Sequence, residues 1–327
     1  MRTLVKFSLM FAVVVIVLGA YTRLTDAGLG CPDWPGCYGF LSVPQSAESV
    51  DLAASAFPDA PFESDKAWNE MVHRYAAGIL GLLILAIAVV AYRQRHAIPR
   101  KPLKLPILLL ALVIFQAALG MWTVTMNLQP VVVMGHLLGG FSTISLLFLL
   151  SLRLNRHQLM GVDTAMRNLG GIAAFALMVV IGQIALGGWV AANYAALACT
   201  ELPICEGNWS ERLDILGAFS VPAADSYQYG AHDYAERMTM HVAHRVGAIV
   251  TLLVVGYLLI KGWRNAQSRL MKANLNMIAL LLVVQIALGI SNVVFMLPLG
   301  IAVAHNAVGA LLLLSLVALN YNIARKA

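Results

Sequence analysis

Four histidines stand at repeated spacing in two apolar stretches, and their type and spacing suit them to hold a ligand. A His-Arg pair opens an apolar run in each half, His73-Arg74 and His244-Arg245. Further on lie Gln116-Ala117-Ala118-Leu119-Gly120 and Gln285-Ile286-Ala287-Leu288-Gly289, with a second histidine 20 residues beyond each glutamine, His136 and His305. Cysteines repeat in step: Gly19 stands 12 residues before Cys31 and Gly187 stands 12 before Cys199, and Cys37 and Cys205 follow six residues on. An ionisable residue in a membrane-like segment is costly and is read as functional by default. A hydrogen bond across helices explains one such histidine. Four in two matched pairs point to two copies of one ligand site. Two imidazoles on facing helices fit the axial positions of a haem iron. No third nitrogen, sulfur or carboxylate ligand recurs in both halves, so other metals have less support.

Beside these ligands stand groups with chemistry of their own. Glu70 precedes His73 by three residues and shares its helix face, and the matching place in the second half holds His241. A carboxylate at a haem edge handles protons or stabilises a cation; the plainer reading is a first-turn carboxylate favoured by the helix dipole. His241 reads either as a hydrogen-bond partner supporting the ligand histidine or, more plainly, as an interfacial residue. Arg74 and Arg245 are candidate propionate contacts, or they snorkel to headgroups. The pairs Cys31–Cys37 and Cys199–Cys205 each lie within one loop and are the natural disulfides of an oxidising face. They serve either as loop staples or, in the first loop, as a thiol relay.

The elements that position these residues follow from composition. Hydrophobic residues make up 60% of the chain and charged residues 12%, and mean hydropathy is +0.78, which excludes an ordinary soluble enzyme. Eight apolar runs, near 7–25, 71–92, 105–126, 131–152, 169–191, 239–260, 274–295 and 300–322, approach the roughly 20 residues that cross a bilayer. The first continues without a cleavage signal and reads as a retained helix. The predicted fold is all-α: a polytopic membrane protein of eight transmembrane helices, arranged as two tandem pseudo-symmetric four-helix bundles. Residues 1–152 form the N-terminal half, 153–168 a cytoplasmic linker and 169–327 the C-terminal half.

Sixteen of the 22 Lys and Arg residues fall in the N-terminus, the loops 93–104, 153–167 and 261–272, and the C-terminus. By the positive-inside rule these face the cytoplasm, so the long loops 26–69 and 192–237 lie outside. The net charge of +6 is thus a topology signal, and its spread over five short segments argues against a nucleic-acid partner. The 44–65 stretch reads as loop with one short surface helix. Trp34, Trp68, Trp189 and Trp209 read as interfacial anchors. His96, His157 and His232 read as solvated loop residues. A Leu-Gly recurs near the outer ends of the odd spans (Gly19, Gly120, Gly187, Gly289) and permits close helix packing. Gly78 and Gly139-Gly140 read the same way, or as room for a flat macrocycle.

At this point the chain resembles the haem A synthase family over essentially its whole length. The matching segments are GLGCPDWPGC in the first outer loop, NEMVHRYAAG at the second span, GHLLGG at the fourth, HVAHRVGA at the sixth and AHNAVGA at the eighth. Their order and repetition carry the resemblance. It implies oxidation of a methyl group of haem O to the formyl group of haem A by successive hydroxylations, for haem-copper oxidases. It implies haem b on His244 and His305, the substrate haem at His73 and His136, and Glu70 as the essential acid. It maps the family's outer-loop cysteines onto Cys31, Cys37, Cys199 and Cys205. It places the chain in the inner (plasma) membrane with both termini cytoplasmic. Candidate partners are the bilayer, haem O synthase, oxidase assembly factors and further copies of the chain. Two competing readings are a diheme b-type electron-transfer cytochrome and a repeat-built transporter. The Glu70/His241 asymmetry disfavours the first, and the lack of a Pro-split helix in either half disfavours the second.

Overall fold

A computed structural model describes residues 1–96, 103–155, 163–203 and 205–324. Arg100, Lys101, Arg156, Arg325 and Lys326, used above to orient the chain, and His157, read above as a solvated loop residue, lie outside the described residues. The described chain is all-helical, with no strand beyond an isolated bridge between Cys37 and Phe40. In order run α1 (Arg2–Leu24), α2 (Ala47–Ala56), α3 (Ser64–Arg93), α4 (Lys104–Thr125), α5 (Pro130–Leu154), α6 (Gly170–Ala192), α7 (Ile215–Ala218), α8 (Tyr234–Asn265), α9 (Arg269–Val294) and α10 (Leu299–Ala324). All but α2 and α7 are long and apolar enough to cross a membrane. Large apolar side chains such as Leu82, Ile114, Leu253 and Val283 point outward, each more than 60% exposed, as lipid-facing positions require.

The eight apolar runs become eight helices, but α3 and α8 begin five or more residues before their apolar runs. Their first turns are polar and escape hydropathy. Asp233 caps α8 in a capping box with Glu236, which satisfies free N–H groups there. Asp65 supplies the acid of the first turn of α3. Glu70 is therefore the seventh residue of α3 and lies inside the helix, not at its end.

The chain packs as two compact units. One comprises Thr3–Ile144 with the loop segment Val221–Ala231; the other comprises Ser145–Ser220 with the chain from His232 onward. In the first unit that segment lies along the α4–α5 turn: Tyr227 N donates to Asn127 O at 2.9 Å, and Asn127 Nδ2 donates to Asp225 O at 2.8 Å. The loop between α1 and α3 has a core of its own. Tyr38 is buried edge-on against Phe57 and Phe62, with ring centres 5.7 and 5.3 Å away. Its hydroxyl donates to Pro61 O at 3.0 Å. Burial, then the nearby Glu63, Glu70 and Asp33, pushes this phenol upward and keeps it protonated. The surface helix expected within 44–65 is α2, capped by Ser46.

Two expectations are corrected. Trp189 is no interfacial anchor: it is buried, and its Nε1 donates to Ala218 O at 2.8 Å. Trp68 and Trp209 pack against the two disulfide clusters. His232 is not solvated either; it is buried and its Nδ1 meets Glu236 Oε2 at 2.8 Å. In both cases a folded outer loop covers a residue that an open loop would have exposed.

Candidate functional site

Each of the four histidines faces one of the four glycines near the C-terminal ends of α1, α4, α6 and α9. A Cβ on Gly19 would lie 2.8 Å from His73 Cε1, and one on Gly120 3.4 Å from His136 Cε1. The corresponding distances are 3.0 Å from Gly187 to His244 and 3.2 Å from Gly289 to His305. The repeated Leu-Gly thus makes room for the imidazoles themselves. Gly78 and Gly140 have open space around them, whereas Gly139 is filled by the Gln116 side chain.

In the first unit α1 and α4 present glycine to α3 and α5, and His73 and His136 meet with ring centres 6.5 Å apart and planes at 86°. An imidazole nitrogen holds a metal at about 2 Å, so two imidazoles on opposite sides of one ion have ring centres roughly 6 Å apart. The pair fits that requirement. Nδ1 of His73, His136 and His305 makes no close hydrogen bond, although each ring interacts with the backbone of the residue one turn before its seating glycine, Val15, Gln116 and Gln285. Buried polar atoms are normally satisfied, and such orphans in a ligand-capable pair fit a group bound between the rings. In the second unit α6 and α9 present glycine to α8 and α10, and the His244 and His305 rings lie within electrostatic reach of each other.

These seats provide a direct test. Gly187→Leu is expected to push the His244 ring aside and abolish ligand binding in the second unit. Gly182→Leu, on the same helix with open space around it, is expected to leave binding unchanged. Absorption spectra of the two purified variants report the outcome; equal spectra would refute the seating role.

Glu70 and Arg74 form the other centre. Glu70 is 5% exposed. Its Oε1 accepts from Arg74 Nη2 at 2.5 Å and its Oε2 from Cys31 N at 2.9 Å. Arg74 Nη1 donates to Asp33 O at 2.9 Å and to Gly36 O. The helix that carries His73 is thereby tied to the disulfide loop. In the second unit Arg245 does the same without a carboxylate: it donates to Glu201 O and Cys199 O, both at 2.8 Å. His241, which takes the place of Glu70, is buried rather than interfacial and lies within reach of Arg245 and Glu206. Both guanidiniums proposed for propionates are thus engaged by loop carbonyls.

Cys31–Cys37 and Cys199–Cys205 form disulfides, with Cα atoms 4.8 and 5.0 Å apart. Cys199, Cys205 and Glu206 cluster within ligand range, but sulfurs bonded to each other offer no thiolate. Glu206 instead accepts from Thr200 N at 2.7 Å and from Thr200 Oγ1, and the threonine hydrogen bonds hold this carboxyl below its usual range. The first loop is also pinned by Asp33, whose carboxylate accepts from Tyr38 N at 2.7 Å and Gly39 N at 2.8 Å. Cys37→Ser is therefore expected to cost only about 2 kcal/mol of stability, the chain-entropy value for so short a loop. Activity that collapses while the thermal midpoint barely moves would instead assign the thiols to chemistry.

Sequence reasoning missed the glutamines. Gln183 Nε2 lies 3.0 Å from both His244 Nδ1 and His244 O, and Gln285 Nε2 lies 3.2 Å from His305 Nε2. The available signal was a glutamine four residues before the glycine in α4, α6 and α9.

Comparison with known proteins agrees with this site. A family model described as cytochrome oxidase assembly protein (COX15-CtaA) matches residues 2–317. The chain is 53% identical over 320 residues to the heme A synthase of Shewanella oneidensis, covering 97% of this chain and 95% of that one. Heme A synthases of Shouchella clausii (26% over 288 residues, covering 85% and 82%) and Rhizorhabdus wittichii (28% over 329 residues, covering 94% and 89%) are more distant relatives.

Proposed function

The chain belongs to the cytochrome oxidase assembly protein family, and from that premise we propose that it is a haem A synthase. It oxidises a methyl group of haem O to a formyl group in two hydroxylations and a loss of water, supplying haem A to haem-copper oxidases. The observation that carries this reading at the site is the pairing of His73 and His136 across 6.5 Å, with Glu70 one helical turn away on the same face. The near-full-length identity to a heme A synthase supports the same chemistry. Two permanent electron-carrying haems would not need a carboxylate at one pair only, so the diheme carrier is disfavoured.

In this reading His73 and His136 hold the substrate iron, and Glu70 takes a proton or balances positive charge at the reacting methyl. Arg74 holds Glu70 against the first loop, so that the carboxylate keeps its place while charge changes beside it. His244 and His305 hold a haem b, which when bound supplies one-electron transfer. The halves 1–152 and 169–327, joined by 153–168, are tandem copies of one four-helix plan. Their matched disulfides, glycine seats and Arg-to-loop clamps support this. The positive-inside charge pattern supports cytoplasmic termini and outer disulfide loops in the plasma membrane. Haem O synthase, oxidase assembly factors and further copies of the chain remain the partners to look for.

Haem analysis of cells lacking the protein tests the function. Haem O is expected to accumulate without it, and haem A to return with it. Restoration of growth or membrane haem without haem A would overturn the reading.

A further inference from the structure

An apolar groove of about 600 Å³ runs between α6 and α8. It is separate from the C-terminal histidine pair, for neither His244, His305 nor Gly187 lines it. Its walls recur at helical spacing. Val179, Gly182 and Leu186 line it from α6, and Val242, Val246 and Val250 from α8, each three or four residues from the next on one face. Gly182 and Gly247 give it depth, and a Cβ on Gly182 would meet nothing within 4 Å. The rim faces outward: Val246 and Val250 are exposed, as is Met178 beside Val179. One end carries a roof made by Leu213, Ile215 and Phe219, in α7 and on either side of it. The roof is tied to both helices. Asp214 N donates to Thr239 Oγ1 of α8 at 3.0 Å, and Trp189 Nε1 of α6 donates to Ala218 O at 2.8 Å.

We propose that this groove is a phospholipid site, in which one acyl chain lies between α6 and α8 under the α7 roof. Chemistry, length and position select that occupant. The volume falls in the range of about 300–1,000 Å³ usual for a bound small molecule. Only Gln183 and Thr239 bring polar side chains to the lining, and both are engaged elsewhere. Thr239 Oγ1 accepts from Asp214 N and donates to Ala235 O at 2.7 Å. Gln183 Nε2 donates to His244 O at 3.0 Å, and its Oε1 is buried against Gly247. The groove therefore asks for hydrocarbon. From Thr239 to Val250 it runs about 16 Å at the rise of an α-helix, close to half of a hydrocarbon core roughly 30 Å thick. That is the depth of a chain confined to one leaflet. The rim continues onto the lipid-facing sides of two membrane-spanning helices. At the roofed end stand Glu211, Arg212 and Asp214, all exposed, which offer both signs of charge to a zwitterionic headgroup. The roof separates a held chain from the lipids that pass along any span, because it closes a third side. The held chain packs on Ala243 and Gly247, so it backs the stretch of α8 that carries His244.

The test uses the purified full-length protein, washed extensively in detergent, with retained lipid extracted and counted by mass spectrometry. The unaltered protein is expected to keep one phospholipid per chain. Gly182→Phe fills the groove with a side chain and is expected to lose it. Phe219→Ser opens the roof without entering a helix, and is expected to lose it as well. Val283→Phe adds similar bulk on an outward-facing position of α9 outside the groove; it is expected to keep the lipid. A protein that keeps no phospholipid, or one that keeps it in both groove variants, would overturn the proposal. Equal loss in Val283→Phe would mean unspecific stripping and would overturn it too. An isoprenoid quinone recovered in place of the phospholipid would assign the groove to a different ligand. A Gly182→Phe variant that changes oligomeric size but keeps its lipid would make this face a contact between copies of the chain. Either result refutes the phospholipid site.

Discussion

Replacing Glu70 by glutamine is expected to cut haem A formation by about 10²- to 10⁴-fold, the range for losing a positioned proton-transfer group. Substrate haem should still bind, and haem O or its singly hydroxylated product should accumulate. The C-terminal haem spectrum should be unchanged. The glutamine oxygen can still accept from Cys31 N, which lies 2.9 Å from Glu70 Oε2. What it cannot do is pair with Arg74 or take a proton. Those two losses are separable. Arg74→Met leaves the carboxylate and removes the clamp, at a stability cost of about 3–5 kcal/mol for breaking a buried ion pair. If Glu70→Gln and Arg74→Met lose haem A to the same degree, the loop clamp and not the carboxylate is what chemistry requires. If Glu70→Gln makes haem A at the normal rate, Glu70 has no part in the reaction.

His244→Ala and His305→Ala are expected to remove the low-spin b-type spectrum of the C-terminal haem. The effect should exceed the about 10- to 100-fold that loss of an outer hydrogen-bond partner costs, because an iron ligand itself is gone. His73→Ala and His136→Ala should spare that spectrum and abolish haem A formation. A b-type spectrum that survives both His244→Ala and His305→Ala would remove this ligand assignment, and one lost on His73→Ala would reverse the roles of the two pairs.

The spans were legible because about 20 apolar residues in a row have few other uses. The histidines were legible because their spacing repeats and their type is costly in lipid. Other features were hidden for physical reasons. The outer turns of α3 and α8 are polar and lack the apolar signal, although Asp233 and Glu236 spelled a capping box. The first outer loop gave no periodicity because its core is built by Tyr38, Phe57 and Phe62 from distant places in the chain. The engagement of Arg74 and Arg245 by loop carbonyls depends on how each disulfide loop folds back on its helix, which spacing does not encode. The glutamines were in plain view, but their partners depend on which face each helix presents.

The lengths of α3 and α8 have one more consequence. At 30 and 32 residues they run roughly 45–48 Å, against a hydrocarbon core of about 30 Å. A helix that only just spanned the lipid would ride up or down as bilayer thickness changes by a few ångströms between membranes. These two overshoot it, and Arg74 and Arg245, each next to one of the paired histidines, fasten them to covalently closed loops. The positions of His73 and His244 are therefore fixed along each helix against its own disulfide loop and not by the lipid alone.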